Sequence, residues 1–202
     1  MTPYYEDGAL TIYHGDCREI LPTLEPVGLL LADPPYGHGD RWSGGTWAAD
    51  PMYAEAKVWD AAPVDLDLLT QAIALADTSI IWGGNYYALP PSRCWLAWDK
   101  ASKMATMADF ELAWTSRDAP SKSMRLGRNP DGKRSHPTQK PLALITWCIQ
   151  WAGGEGAILD PFMGSGTTLR AAKNLGRRAI GIELSEKYCE IAATRMAQGV
   201  LF

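Results

Sequence analysis

The chain predicts an α/β fold: a doubly wound, mostly parallel sheet with helices on both faces and an antiparallel edge. Three observations carry this. Short apolar runs stop at an acid in three places, Gly28 to Ala32 before Asp33, Gly156 to Leu159 before Asp160, and Ala179 to Ile182 before Glu183. Runs of that length read as buried strands stopped at their carboxyl ends. Stretches of helical spacing, at 65–76, 142–151 and from Ser185 onward, alternate with them, as parallel sheets require. Finally, Glu183 follows Asp160 by 23 residues across a Gly164-Ser165-Gly166 turn, the spacing of a ligand-binding strand–loop–helix–strand unit.

In chain order, Ala9 to Tyr13 is a strand ending in His14-Gly15-Asp16. Cys17 to Leu24 is a short helix or turn with Ile20, Leu21 and Leu24 inward. Asp16 thus reads either as a helix cap or as an acid at a strand tip. After Asp33-Pro34-Pro35-Tyr36, the segment from Gly37 to Asp60 is rich in glycine and tryptophan and lacks periodicity. Its place, just after a stiff strand-tip turn, suits a lid or another functional loop, and it carries Arg41 and Trp42. Asp65 to Ala76 is a helix, and Ser79 to Trp82 a strand ended by Gly83-Gly84-Asn85. Arg93 to Trp98 and Phe110 to Trp114 are two antiparallel edge strands, with Trp95, Trp98 and Trp114 in the core.

The 202 residues suit one domain: a catalytic half over about 9–115, a short basic recognition loop over about 116–135 and a ligand-binding half over about 136–197. The composition, 47% hydrophobic and 21% charged, is globular. No apolar stretch approaches a membrane span and no leader pattern opens the chain, so a cytoplasmic protein is expected. Cys17, Cys94, Cys148 and Cys189 lack paired spacing, so buried reduced thiols are expected, and with three histidines no metal site is expected. The net charge of −4 hides an asymmetry. Ser121 to Ser135 holds Lys122, Arg125, Arg128, Lys133 and Arg134 against Asp131 alone, which leaves −8 for the rest. The stretch Lys122 to Arg134 reads as a mobile loop, and its local excess suits phosphate contact.

Asp33-Pro34-Pro35-Tyr36 makes a stiff strand-tip loop, because neither proline can donate to a ladder and Pro35 holds Pro34 extended. It offers a carboxylate, a carbonyl at Pro34 and the aromatic face of Tyr36. The two acceptors suit the two N–H bonds of an exocyclic amino group on a flat base. Holding both draws the nitrogen lone pair out of conjugation. Tyr36 can stack on the ring, a contact typically worth about 1–3 kcal/mol. His136-Pro137-Thr138-Gln139-Lys140-Pro141 then precedes an amphipathic helix with Pro141 in its first turn. That helix start can receive a carboxylate, with Lys140 reinforcing it. In Asp160-Pro161-Phe162-Met163-Gly164-Ser165-Gly166-Thr167-Thr168, the glycines allow close backbone approach and the threonines suit a helix start. The third glycine of a dinucleotide fingerprint is missing, as is the lysine of a phosphate loop.

Together these strings resemble the DNA amino-methyltransferases, which act on adenine N6 or cytosine N4. The likeness runs from Leu10 to Arg195, with the catalytic half first, the order of the family's β group, and Trp98-Asp99-Lys100 resembles a recurrent turn of the family. It implies a Rossmann-like methyltransferase sheet and S-adenosyl-L-methionine as cofactor. It also implies catalytic roles for Asp33, Pro34, Pro35 and Tyr36. The cofactor's adenine falls near Asp16, its ribose on Glu183, and its body on Gly164, Ser165, Gly166 and Thr167. Lys140, Asp160 and Phe162 border its methionine end, and Asp33 is a further cofactor-binding residue. The target base must leave the stack to reach Asp33, and Arg41 and Trp42, in what is then a lid or a DNA-facing loop, suit the gap it leaves. An opening Asp is the habit of adenine members, so adenine N6 in DNA is expected, with cytosine N4 as the alternative. A non-catalytic cofactor- or DNA-binding module and a nicotinamide enzyme are the weaker readings. Only Thr115 to Ser135 is available for target recognition, far less than family members usually carry. A homodimer and a cognate restriction endonuclease are open as partners.

Overall fold

The computed structural model describes residues 2–39, 57–101, 107–128, 130, 132 and 139–199. Arg41, Trp42, Lys133, Arg134 and His136-Pro137-Thr138 lie outside the described residues. The elements are β1 (Tyr5–Glu6), β2 (Leu10–His14), α1 (Cys17–Ile20), β3 (Val27–Ala32), α2 (Leu66–Ala74), β4 (Ala76–Trp82), β5 (Trp95–Lys100) and β6 (Phe110–Thr115). They continue with β7 (Lys122–Leu126), α3 (Leu142–Ala152), β8 (Ile158–Asp160), α4 (Thr167–Asn174), β9 (Ala179–Glu183) and α5 (Glu186–Ala197).

All of β3 except Gly28 is buried, which only a strand covered on both faces can be. Alternation along it divides the core. Leu29 and Leu31 join Leu144 and Cys148 of α3, Leu169 of α4 and Ala192 of α5. Leu30 and Ala32 join Leu68 and Ala72 of α2 on the other face, with Ile20 of α1.

Among the described residues the strands form one sheet in the order β1-β2-β9-β8-β3-β4-β6-β5-β7. The five from β2 to β4 run parallel. β6 is antiparallel to both β4 and β5, and β1 is antiparallel to β2. From β3 the chain winds outward to β4, and from β8 it winds the opposite way to β9. The order therefore reverses between β3 and β8, and ligands bind beyond the strand ends at such a point. The tips there belong to Asp33 and Asp160.

Two expectations are corrected. Lys122 to Leu126 is not loop but β7, paired parallel with β5 from Leu96↔Lys122 to Lys100↔Leu126. Its polar residues suit a sheet edge, where charge blocks further pairing, and they hid the strand from a reading based on apolar runs. Trp98-Asp99-Lys100 is the end of β5 rather than a turn. One smaller shift occurs at a helix start: Pro141 is the residue before α3 rather than inside it; α4 begins at Thr167, one of the two threonines suited to that start. Trp98 and Trp114 are core residues, each 4% exposed, with their indole N–H groups on the carbonyls of Leu126 and Pro90.

Candidate active site

Parallel neighbours end side by side, so the sheet order sets acids from both halves of the chain in a row: Asp16 after β2, Glu183 on β9, Asp160 on β8 and Asp33 after β3. All four line a cavity of about 740 Å³. Of the ten residues expected on the cofactor side, Gly166 alone is not in its wall; Asp16, Asp33, Lys140, Asp160, Phe162, Gly164, Ser165, Thr167 and Glu183 are.

Each acid is held by its own local structure. Asp16 caps α1 through the Arg18 N–H at 2.9 Å and also meets the Arg18 guanidinium at 2.7 Å, which lowers its pKa. Both readings of Asp16, cap and cavity wall, therefore hold in geometry. Glu183 accepts from the Gly164 N–H at 3.0 Å and the Ser185 N–H at 2.8 Å, so it fastens the glycine turn to the end of β9. Burial raises its pKa despite those bonds. Ser165 in the same turn is gripped by Arg195 of α5, 2.5 Å from its carbonyl. Gly166 takes φ 78°, a left-handed value that favours glycine, and a Cβ there would lie 2.9 Å from that of Ala192. Burial pushes the Asp160 carboxyl up to about 7. Hydrogen bonds from Thr168 and the Phe162 N–H oppose the rise, and the charges of Asp33 and Glu183 add to it.

The Asp-Pro-Pro-Tyr loop is braced from outside. Asp60, 3% exposed, accepts from the Tyr36 and Gly37 N–H groups at 2.8 and 2.9 Å. The Pro35 carbonyl accepts from the Tyr87 hydroxyl and from the Val64 N–H. Among the described residues the Pro34 carbonyl accepts no such bond, which leaves it as the loop's available acceptor. Pro34 itself is buried, and neither it nor Tyr36 is in the cavity wall. The Tyr36 ring lies beside Gly83, where a Cβ would come 2.1 Å from its Cε1, and packs on Tyr86 at 5.0 Å between centroids. Its hydroxyl donates to Oδ1 of Asp33. Burial, then the charges of Asp33 and Glu111, hold the phenol far above its ordinary pKa, so it remains a donor.

The other Asp33 oxygen, Oδ2, lies 2.5 Å from Nζ of Lys140. Lys140 was expected at a helix start facing a ligand carboxylate; its ammonium instead lies against Asp33 and, at 3.4 Å, against Glu111. Lys100 completes the chain, 2.5 Å from Glu111. Sequence reading gave Glu111, Lys100, Asp60 and Tyr87 no role. For Glu111 the available signal was an acid within a strand otherwise apolar or small.

Of the residues expected to meet nucleic acid, Lys122 and Arg125 are exposed on β7, and Arg128 donates to the Ala108 carbonyl at 3.0 Å. Because β7 runs in the direction of β3, Arg125 and Arg128 sit at the cavity edge of the sheet and Lys122 at the opposite edge. Among the described residues no group of His, Cys, Asp and Glu is arranged to hold a metal, and no helix is long and apolar enough to cross a membrane.

An acid-rich cavity favours a cationic ligand and disfavours the diphosphate of a nicotinamide dinucleotide. The profile of the DNA methylase family of N6/N4 methyltransferases matches residues 59–194. The chain belongs to this family. The DNA methylase is 27% identical to the Type II methyltransferase M.ScaI of Streptomyces caespitosus, over 96% of this chain and 83% of that protein. Its fold is that of the M1.HpyAVI–SAM complex, with a TM-score of 0.67 and 23% identity over 94% of this chain and all of that one. It matches the cytosine-N4-specific PvuII DNA methyltransferase equally well, with a TM-score of 0.67 and 15% identity over 99% and 90% of the two chains. The methylase thus has a Rossmann-like methyltransferase sheet and belongs with the enzymes that methylate amino groups of DNA bases.

Proposed function

We propose that this methylase transfers a methyl group from S-adenosyl-L-methionine to the N6 amino group of adenine in DNA. The observation that carries the reading is Asp33 at the β3/β8 reversal, held by Lys140 and opening onto the acid-lined cavity. The M1.HpyAVI–SAM complex has the same fold at 23% identity, and the donor set here fits that cofactor. Its sulfonium and ammonium suit the four carboxylates, and Glu183, fixed by two backbone N–H groups, is available to ribose hydroxyls. Bound there, the cofactor supplies an electrophilic methyl group on a cationic sulfur. Everything else falls to the protein. Asp33 and the Pro34 carbonyl take the two amino N–H bonds and turn the nitrogen lone pair away from the ring. Lys140 sets a counter-charge against Asp33 and holds its orientation, and the tyrosine pair Tyr36 and Tyr86 supplies the aromatic surface for a base out of the stack. Cys17 lines the cavity, but burial pushes its thiol up to about 11, and the amine needs no thiolate nucleophile. The opening Asp favours adenine.

The test is nucleoside analysis of plasmid DNA from a host without DNA methylation of its own, expressing this chain or its Asp33→Ala variant. N6-methyladenine lost in the variant supports the reading. N4-methylcytosine overturns the base, and no methylated base overturns the activity.

A further inference from the structure

Four charged side chains of alternating sign run along the cavity edge of the sheet, each from a different element. Asp33 follows β3, Lys140 precedes α3, Glu111 lies near the start of β6 and Lys100 ends β5. The contacts are 2.5 Å from Asp33 to Lys140, 3.4 Å from Lys140 to Glu111 and 2.5 Å from Glu111 to Lys100. Both lysine side chains are 7% exposed. We propose that Glu111 is a positioning residue for methyl transfer: it holds the Lys140 ammonium against Asp33, and Lys100 holds Glu111 in turn. The proposal rests on the methyl-transfer reading above.

A lysine head on a four-carbon stem has many rotamers, and one ion pair does not choose among them. Two anions from separate strands do, and the Trp82 ring, 5.7 Å from Nζ, bounds the remaining side. The groups facing Lys140 are Asp33, Glu111 and the Cys148 thiol of α3, which burial keeps protonated. Lys100 acts through Glu111, and Tyr36 and Asp160 act through Asp33. Burial opposes the charge on Lys140, yet Asp33 and Glu111 together outweigh it and raise the pKa above the ordinary lysine value. Without Glu111 the burial penalty faces a single carboxylate, and the ammonium becomes easier to neutralise. Asp33 then loses both its fixed orientation and its counter-charge at alkaline pH.

The experiment compares wild type, Glu111→Gln and the double variant Lys100→Met/Glu111→Gln. The double variant removes the second ion pair as a unit and so leaves no orphaned buried cation. Turnover is measured from pH 7 to 9.5, with KM for DNA and the Kd of S-adenosyl-L-methionine. Wild-type turnover should stay level to about pH 9.5, since an unperturbed lysine titrates near 10.4. In the variants kcat at neutral pH should fall about 10- to 100-fold, the scale of a small misplacement at a reacting centre. A new alkaline limb should appear, while both affinities change less than about threefold. A folded variant with wild-type kcat and profile overturns the inference, as does one that loses affinity at constant kcat. A wild-type alkaline limb well below pH 9 overturns it even if neither variant folds. A wild type that methylates no DNA fails the functional reading instead.

Discussion

Nζ of Lys140 lies 2.5 Å from Oδ2 of Asp33, an ion pair across 107 residues of sequence. It joins the segment after β3 to the segment that leads into α3, beside the reversal in strand order. Lys140→Met removes the cation and leaves Asp33 and Glu111 facing each other. Breaking a buried pair on one side usually costs about 3–5 kcal/mol. Asp33 is 24% exposed, so solvent screening reduces this to about 2–4 kcal/mol. Thermal unfolding should show the loss, and methylation should fall more than about 100-fold. A variant with wild-type melting and turnover would remove Lys140 from the site.

Asp160 sets a pH dependence whose sign is fixed. Burial raises its folded-state pKa to about 7, so the protonated form favours folding. Its stabilisation is complete below the unfolded value, near 3.9, and is lost as pH rises through about 7. Binding a sulfonium cation favours the opposite, ionised form. S-adenosyl-L-methionine affinity should therefore rise between pH 6 and 8, with proton release on binding. Calorimetric titration in two buffers of different ionisation enthalpy measures that release. Asp160→Asn should abolish it, and equal release in the variant would assign the proton elsewhere.

Gly83 is required by Tyr36. At φ 65° with a Cβ 2.1 Å from the Tyr36 ring, Gly83→Ala meets both backbone strain and a clash. A loss of about 1–3 kcal/mol is expected. The selective effect should be on the ring: DNA methylation falls while cofactor affinity, set on the far side of Asp33, stays within about twofold. Equal losses in both would mean general unfolding.

Arg125 and Lys122 lie on the same exposed strand but at opposite edges of the sheet. Arg125→Ala should weaken DNA binding and lower the slope of log K against log salt by about one. Lys122→Ala should leave both unchanged. Identical behaviour of the two would argue against directional DNA contact along β7.

Asp33, Asp160 and Glu183 were legible because each ends a contiguous apolar run, and the run and its stop are local. The glycine turn and the helix after it were legible for the same reason. Glu111 and Lys100 were not, since their meaning depends on β5 and β6 pairing antiparallel beside β4. No local pattern records that neighbourhood. Lys122 to Leu126 was misread because a charged edge strand and a solvated loop share a composition; only its pairing with β5 separates them. The brace from Asp60 to Tyr36 spans 24 residues, beyond the reach of a turn motif.

Asp33 already carries one donor on each oxygen, the Tyr36 phenol on Oδ1 and the Lys140 ammonium on Oδ2. On the proposed reading, an arriving amino group would exchange with the Tyr36 hydroxyl on Oδ1. Swapping one donor for another on the same acceptor costs far less than desolvating it. The phenol is in this sense a placeholder: it keeps Oδ1 of the carboxylate aimed and partnered until another donor takes its position.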